Sequence, residues 1–123
     1  MASNKVIRFG PAALSNSAAN IVNCAITSLT GPTGYTQTQP YLILRHIRLV
    51  NKTGGAVTVS MYIGATGASA AGTEFLGTAL SIAANSSYDW YGLLRLDSTD
   101  FLTGLASAAT SITFEAEGEA GWA

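Results

Sequence analysis

Apolar and polar residues along this chain mostly alternate with a period of two, and helical spacing is scarce. The clearest case is Ala56–Ile63. Val57, Val59, Met61 and Ile63 fall on one side, and Thr58, Ser60 and Tyr62 on the other. Such a stretch predicts a strand with one buried face. Tyr88–Leu96 alternates in the same way, Tyr88, Trp90, Leu94 and Leu96 against Asp89, Tyr91, Leu93 and Arg95. In Ser111–Glu119, Ile112, Phe114 and Ala116 are set to face inward and Thr113, Glu115, Glu117 and Glu119 outward. Shorter extended pieces are expected at Lys5–Phe9, Ile21–Leu29, Thr73–Leu76 and Ala79–Ile82, with Phe101–Leu102 packing back. Ala12–Ala19 is open between a helical turn and a strand.

Turn chemistry separates these pieces: Gly10-Pro11, Gly31-Pro32, Asn51–Gly55, Ala84–Ser87 and Asp97–Asp100. Glycine supplies positive φ at such places and proline fixes its own. Asn51–Gly55 joins Tyr41–Val50 to Ala56–Ile63, so these two stretches are expected to form a hairpin. The sum is seven or eight short strands at roughly ten-residue spacing, the mark of an all-β antiparallel sandwich, jelly-roll-like, or of a small closed barrel. Residues 41–123 are expected to form the sandwich core. Residues 1–40 would supply the first strand or strands and a polar loop to the same domain, or an arm reaching a neighbour.

Tyr41–Val50 does not fit simple alternation. Read with a strict period of two, it carries Tyr41, Ile43, Ile47 and Leu49 on one face and Leu42, Leu44 and Val50 on the other. Two apolar faces require a second cover, from within the chain or from another subunit. The polar exceptions, Arg45, His46 and Arg48, cluster mid-strand.

Composition adds one constraint. The 123 residues are 48% hydrophobic and 11% charged, against about 25% charged in an average soluble domain. The surface must therefore be built from small and uncharged polar residues, which defend poorly against association. Formal net charge is -1, and the absence of any basic run argues against a nucleic-acid partner. The single cysteine, Cys24, allows no intrachain disulfide and reads as a small buried hydrophobe. The first residues lead into no apolar segment of signal-peptide type, and no apolar run approaches the ~18 residues of a membrane helix. The expectation is a protein made in the cytoplasm, without a membrane partner. Asn51-Lys52-Thr53 and Asn85-Ser86-Ser87 match the glycosylation triplet but read as turns in that setting.

Candidate chemistry is thin. A hydrolytic triad needs a proton-carrying imidazole, and the only one, His46, sits mid-strand. Gly67-Ala68-Ser69-Ala70-Ala71 lacks the second glycine of a nucleophile elbow. One Cys and one His cannot build a zinc site, and Gly64-Ala65-Thr66-Gly67 lacks the Lys-Ser/Thr of a phosphate cradle. Asp97 with Asp100, or the row Glu115, Glu117 and Glu119, offers oxygen ligands of the kind Ca²⁺ takes. The plainer reading is a solvated acidic face, or one that meets Arg45 or Arg48 of a neighbouring subunit. Tyr35, Tyr62, Tyr91 and Trp122 could stack on sugar rings or fill a protein interface. The sequence therefore predicts neither an enzyme nor a cofactor.

The run Arg45–Thr53 followed by Ala56–Val59 resembles a pattern in small virion proteins of tailed bacteriophages. Ala83–Tyr88, Asp100–Gly104, Ser111–Phe114 and Glu117–Glu119 continue the likeness, which spans roughly residues 41–119. It implies a β-sandwich that decorates or cements a capsid, a homo-oligomer, most often a trimer, and a major capsid protein as partner. The site would then be the virion's capsid surface after synthesis in the host cytoplasm. A tail, fibre or baseplate component with a carbohydrate-binding face is the alternative. Together these readings mark Tyr35, Tyr41, Leu42, Leu44, Arg45, His46, Arg48, Tyr91 and Trp122 as interface candidates, with Glu115, Glu117 and Glu119 as weaker metal candidates.

Overall fold

The structure is a computed structural model and describes residues 5–23, 40–64, 71–76, 79–97 and 100–122. Eight strands follow one another: β1 Lys5–Ala13, β2 Ala19–Asn23, β3 Pro40–Asn51, β4 Val57–Gly64, β5 Leu80–Ile82, β6 Ser86–Leu96, β7 Phe101–Ala106 and β8 Ile112–Trp122. They form two four-stranded antiparallel sheets. Sheet I has the order β1-β8-β3-β6, and sheet II the order β2-β7-β4-β5. First pairs with eighth, second with seventh, third with sixth and fourth with fifth. This is a long antiparallel ribbon folded over on itself, the jelly-roll arrangement.

The core lies between the sheets. Leu42, Leu44, Ile47, Leu49, Leu96 and Phe114 of sheet I meet Val22, Val59, Met61 and Leu102 of sheet II, all essentially without solvent contact. Burying each such side chain is worth about 1.5–3 kcal/mol as an upper estimate. The alternation expected for β4, β6 and β8 is the one observed.

Two expectations are corrected. The first concerns the two apolar faces of Tyr41–Val50. Register shifts between Leu44 and His46 against both neighbouring strands. Against β8 this β-bulge gives β3 one extra residue, Arg45, so the side-chain phase changes sides there. Leu42 and Leu44 before it, and Ile47 and Leu49 after it, all point into the core and are fully buried. Leu42 and Leu44 are therefore covered by sheet II and present no surface to a partner. The bulge brings β3 so close to β8 that a Cβ on Gly118 would overlap the Ile43 carbonyl oxygen. Only glycine fits there.

The second concerns the hairpin. β3 pairs with β6 and β8, whereas β4 pairs with β5 and β7. The 52–56 turn carries the chain from one sheet to the other instead of joining neighbours. Asn51, fully buried, holds this crossing. Its Nδ2 donates to the carbonyls of Gly55 (2.9 Å), Ile82 (3.0 Å) and Ala83 (3.2 Å). Its Oδ1 accepts from Thr53 N (2.9 Å) and Oγ1 (2.7 Å).

Of the two readings of the first segment, a strand of the same domain or an arm, residues 5–13 take the strand. β1 runs past Gly10 to Ala13 along β8, with an irregularity between Phe9 and Ala12. Gly10 has φ 84° and faces the Phe114 carbonyl, where a side chain would collide. Ala12 and Ala13 close β1, and 14–18 bends into β2 without a helix. Cys24, Tyr35 and the Gly67–Ala71 motif up to residue 70 lie outside the described residues.

Candidate functional site

The outward face of sheet I gathers most of the chain's charge. Arg8, Arg45, Arg48, Asp89, Arg95, Glu115, Glu117 and Glu119 lie on it. Sheet II contains no Asp, Glu, Lys or Arg in any strand. Its outward residues are of the type of Thr58, Ser60, Tyr62 and Leu105.

Position along each strand decides which charges meet. On β8, Glu115, Glu117 and Glu119 take alternate positions and so share one side. On β3, the bulge turns Arg45 and His46 to that side in succession, and Arg48 follows two residues later. Register sets Glu115 opposite Arg48 and Glu117 opposite His46. On the far side of β3, Asp89 stands opposite Arg48 and Tyr91 opposite His46. On the near edge, Arg8 stands opposite Glu117 and Val6 opposite Glu119.

The contacts follow from that grid. Arg45 pairs with Glu119 at 2.6 Å. Arg48 Nε donates to Asp89 Oδ1 at 2.8 Å. His46 Nε2 lies 2.8 Å from the same Asp89 oxygen, and its Nδ1 lies 3.4 Å from Glu117 Oε1. Both ring nitrogens face carboxylates, and only the imidazolium can donate to both. Tyr91 stacks flat on the imidazole, with ring centroids 4.5 Å apart and planes 9° from parallel. Beside this cluster Arg95 pairs with Asp97 at 2.8 Å and lies 4.5 Å over the Tyr41 ring.

Asp89 is the hub. The hydrogen bond from Arg48, then that from His46, holds its carboxyl below the ordinary aspartate value. The same Asp89 hydrogen bond and charge raise Arg48 above its ordinary value.

These neighbours settle how the candidate residues are placed. Arg45, His46, Arg48 and Tyr91 come together on one face, with Tyr41 at its end. The acidic row meets Arg45 and His46 of its own chain, so those cations need not come from a neighbouring subunit. Among the described residues no three His, Cys, Asp or Glu side chains converge as a metal site. His46 is engaged by carboxylates on both nitrogens, not by a hydroxyl. Tyr62 points outward from sheet II and Tyr91 from sheet I, so they do not form one stacking platform. Trp122 ends β8 opposite Pro40; the placement of Tyr35 lies outside the described residues.

Sequence reasoning missed Asp89, Val6, Arg8 and Leu93 as members of this face. The alternation of β6 already sets Asp89, Tyr91 and Leu93 on one side. What was lacking was the knowledge that β6 is the neighbour of β3.

A small open pocket of about 170 Å³ lies where β1 turns into β2, lined by residues such as Ala12, Leu14, Ile21 and Gly104. No charged group lines it.

No family model matches the chain, and no curated protein matches it. Among solved structures it is similar to a chain in the structure of infectious bursal disease virus Gt strain. The identity is 7% and the TM-score 0.36, over 98% of this chain and 30% of that one. This chain thus spans under a third of that neighbour's length. A likeness of that size adds nothing to the fold, which the strand pairing defines by itself.

Proposed function

We propose that this chain is a structural protein of a virus particle, and specifically a capsid decoration or cement protein of tailed-phage type. The observation that carries the reading is the outward face of sheet I. Among the described residues the sandwich presents its exposed large apolar side chains on this one face, at its two edges, with ion pairs between them. Such a surface suits protein contact better than it suits catalysis. The resemblance over residues 41–119 supports the same reading, since it covers β3 to β8. On this reading the chain stabilises a head shell through buried area. Its partners are the major capsid protein and further copies of itself. No cofactor enters.

The test is to locate the chain in images of the intact virion at subnanometre detail, and to sediment it with empty heads. Density on the outer head surface and cosedimentation are expected. Density on the tail, or a chain that stays in the supernatant at every shell concentration, overturns the reading.

A further inference from the structure

We infer that the outward face of sheet I pairs with the same face of a second copy of this chain, across a two-fold axis parallel to the strands. The large hydrophobic side chains exposed among the described residues are Val6 (84%), Tyr91 (71%) and Leu93 (69%). All lie on this face, at its two edges: Val6 on β1, Tyr91 and Leu93 on β6. Between the edges run two parallel stripes, acidic on β8 and basic on β3.

Symmetry turns this pattern into a prediction. A two-fold axis in the plane of contact, midway between β8 and β3, exchanges those two strands. Each acidic stripe then lies over the other copy's basic stripe, and each β1 lies over the other copy's β6. Rotation about an axis parallel to the strands leaves position along them unchanged. Residues that share a row across one sheet therefore become contacts between copies. Glu115 comes to Arg48 and Glu117 to His46. Arg8, in the row of Glu117, His46 and Tyr91, comes over the Tyr91 ring. Val6, in the row that ends at Arg95, comes beside Leu93.

The alternative in-plane axis, perpendicular to the strands, lays β8 on β8 and sets carboxylates against carboxylates. Charge thus selects one axis and fixes the register, which is what interface charge does best. Contact of a face with itself is isologous and closes at two copies. The trimer implied by the family resemblance therefore cannot be built through this face.

The area is sufficient and modest. Four strands at ~4.8 Å spacing and about eight residues at ~3.3 Å each give a face of about 500 Å². Two copies would bury about 1,000 Å², near the lower bound of a specific interface. A micromolar pair is expected. The pairing does not depend on the virion reading, since a chain that ignores every shell could still form it.

The experiment is sedimentation equilibrium of the full chain from 1 to 200 µM, with circular dichroism to check folding. Wild type should be a monomer–dimer equilibrium. Val6→Lys should be monomeric, because each new ammonium comes over Arg95 of the other copy, and Leu93→Asp should pair more weakly than wild type, because its carboxylate replaces an apolar contact beside Val6. Mixed one to one, they should pair with each other. In the mixed dimer the new carboxylate lies beside the new ammonium, and the other contact remains Val6 with Leu93. Both positions are exposed, so folding is not at stake. On wild type alone, raising NaCl from 50 to 500 mM should weaken association roughly tenfold, as screening of facing stripes requires. A monomeric wild type at 200 µM, a trimer, a dimer indifferent to Leu93→Asp or to salt, or a mixture that fails to pair overturns the inference.

Discussion

The two outward faces of this sandwich are built on opposite plans. Sheet I carries Arg45, His46 and Arg48 on β3 between Asp89 on one side and the Glu115–Glu119 row on the other. Sheet II carries hydroxyls, amides and aromatic or aliphatic groups and has no charged residue in any strand. Both faces rest on the same core and the same alternation. Low overall charge is therefore not spread thinly over the molecule; it is one charged face and one neutral face. A sequence that is 11% charged still concentrates enough charge to set a register on sheet I. On sheet II the strands themselves carry no charge, and Glu74 stands beside them, bridged to Tyr62. The large exposed apolar groups nevertheless sit on the charged face, which marks that face as the specific one.

The largest effect is expected from breaking the geometry that places the charges. Gly118 lies against the β3 bulge, where a Cβ would meet backbone atoms of Ile43 and Leu44. Backbone cannot move aside as a side chain can. Gly118→Ala should destabilise the fold by about 3 kcal/mol or more, at the upper end of overpacking costs. Urea denaturation measures it. A loss under 1 kcal/mol would mean that the bulge relaxes freely, and with it the phase change that puts Arg45 and His46 on the outside.

Next in size is the crossing between the two faces. Asn51 is the last residue of β3, and its buried amide serves three carbonyls of the 55 and 82–83 segments. Asn51→Ala removes the Nδ2 donor from these carbonyls, of which that of Ile82 is buried, and should cost about 2–3 kcal/mol. Asn51→Asp should cost at least as much, because a carboxylate cannot donate to those oxygens. Thermal melts of the two variants check the ranking.

The sequence was informative wherever one strand could be read alone. β4, β6 and β8 keep strict alternation, so which of their side chains face the core could be read directly. β3 misled, since a bulge adds a residue without leaving a signature in the local pattern. It made Leu42 and Leu44 look like surface. The Asn51–Gly55 turn also misled, because turn chemistry says that the chain reverses and not which sheet receives it. β7, Phe101–Ala106, was reduced to two residues because Thr103, Gly104 and Ala106 carry little hydrophobic signal although all are buried. The site was half legible. Arg45, His46 and Arg48 stood out as polar residues in an apolar strand, but their partners are set by pairing across 41 to 74 residues of sequence. Only the jelly-roll order supplies that.

The smallest expected effect isolates charge from shape. Asp89 accepts from both Arg48 and His46, and its carboxyl is held below the ordinary value of 3.8. A depressed carboxyl contributes stability above its unfolded value and loses that contribution as pH falls through the depressed, folded value. Asp89→Asn keeps size and removes the charge. The variant should melt a few degrees at most below wild type near neutral pH, as partly exposed ion pairs are weak. The gap should close as pH falls below the ordinary aspartate value of 3.8 and through the depressed one, where wild type loses the same charge. Ser60→Ala on the outward side of sheet II is the matched control, since no charged residue lies in that sheet's strands, and its difference from wild type should not change with pH. A gap for Asp89→Asn that stays constant while wild type takes up its carboxylate protons would mean that shape and not charge holds the face together. The electrostatic contrast between the two sheets would then be a matter of composition without consequence for stability.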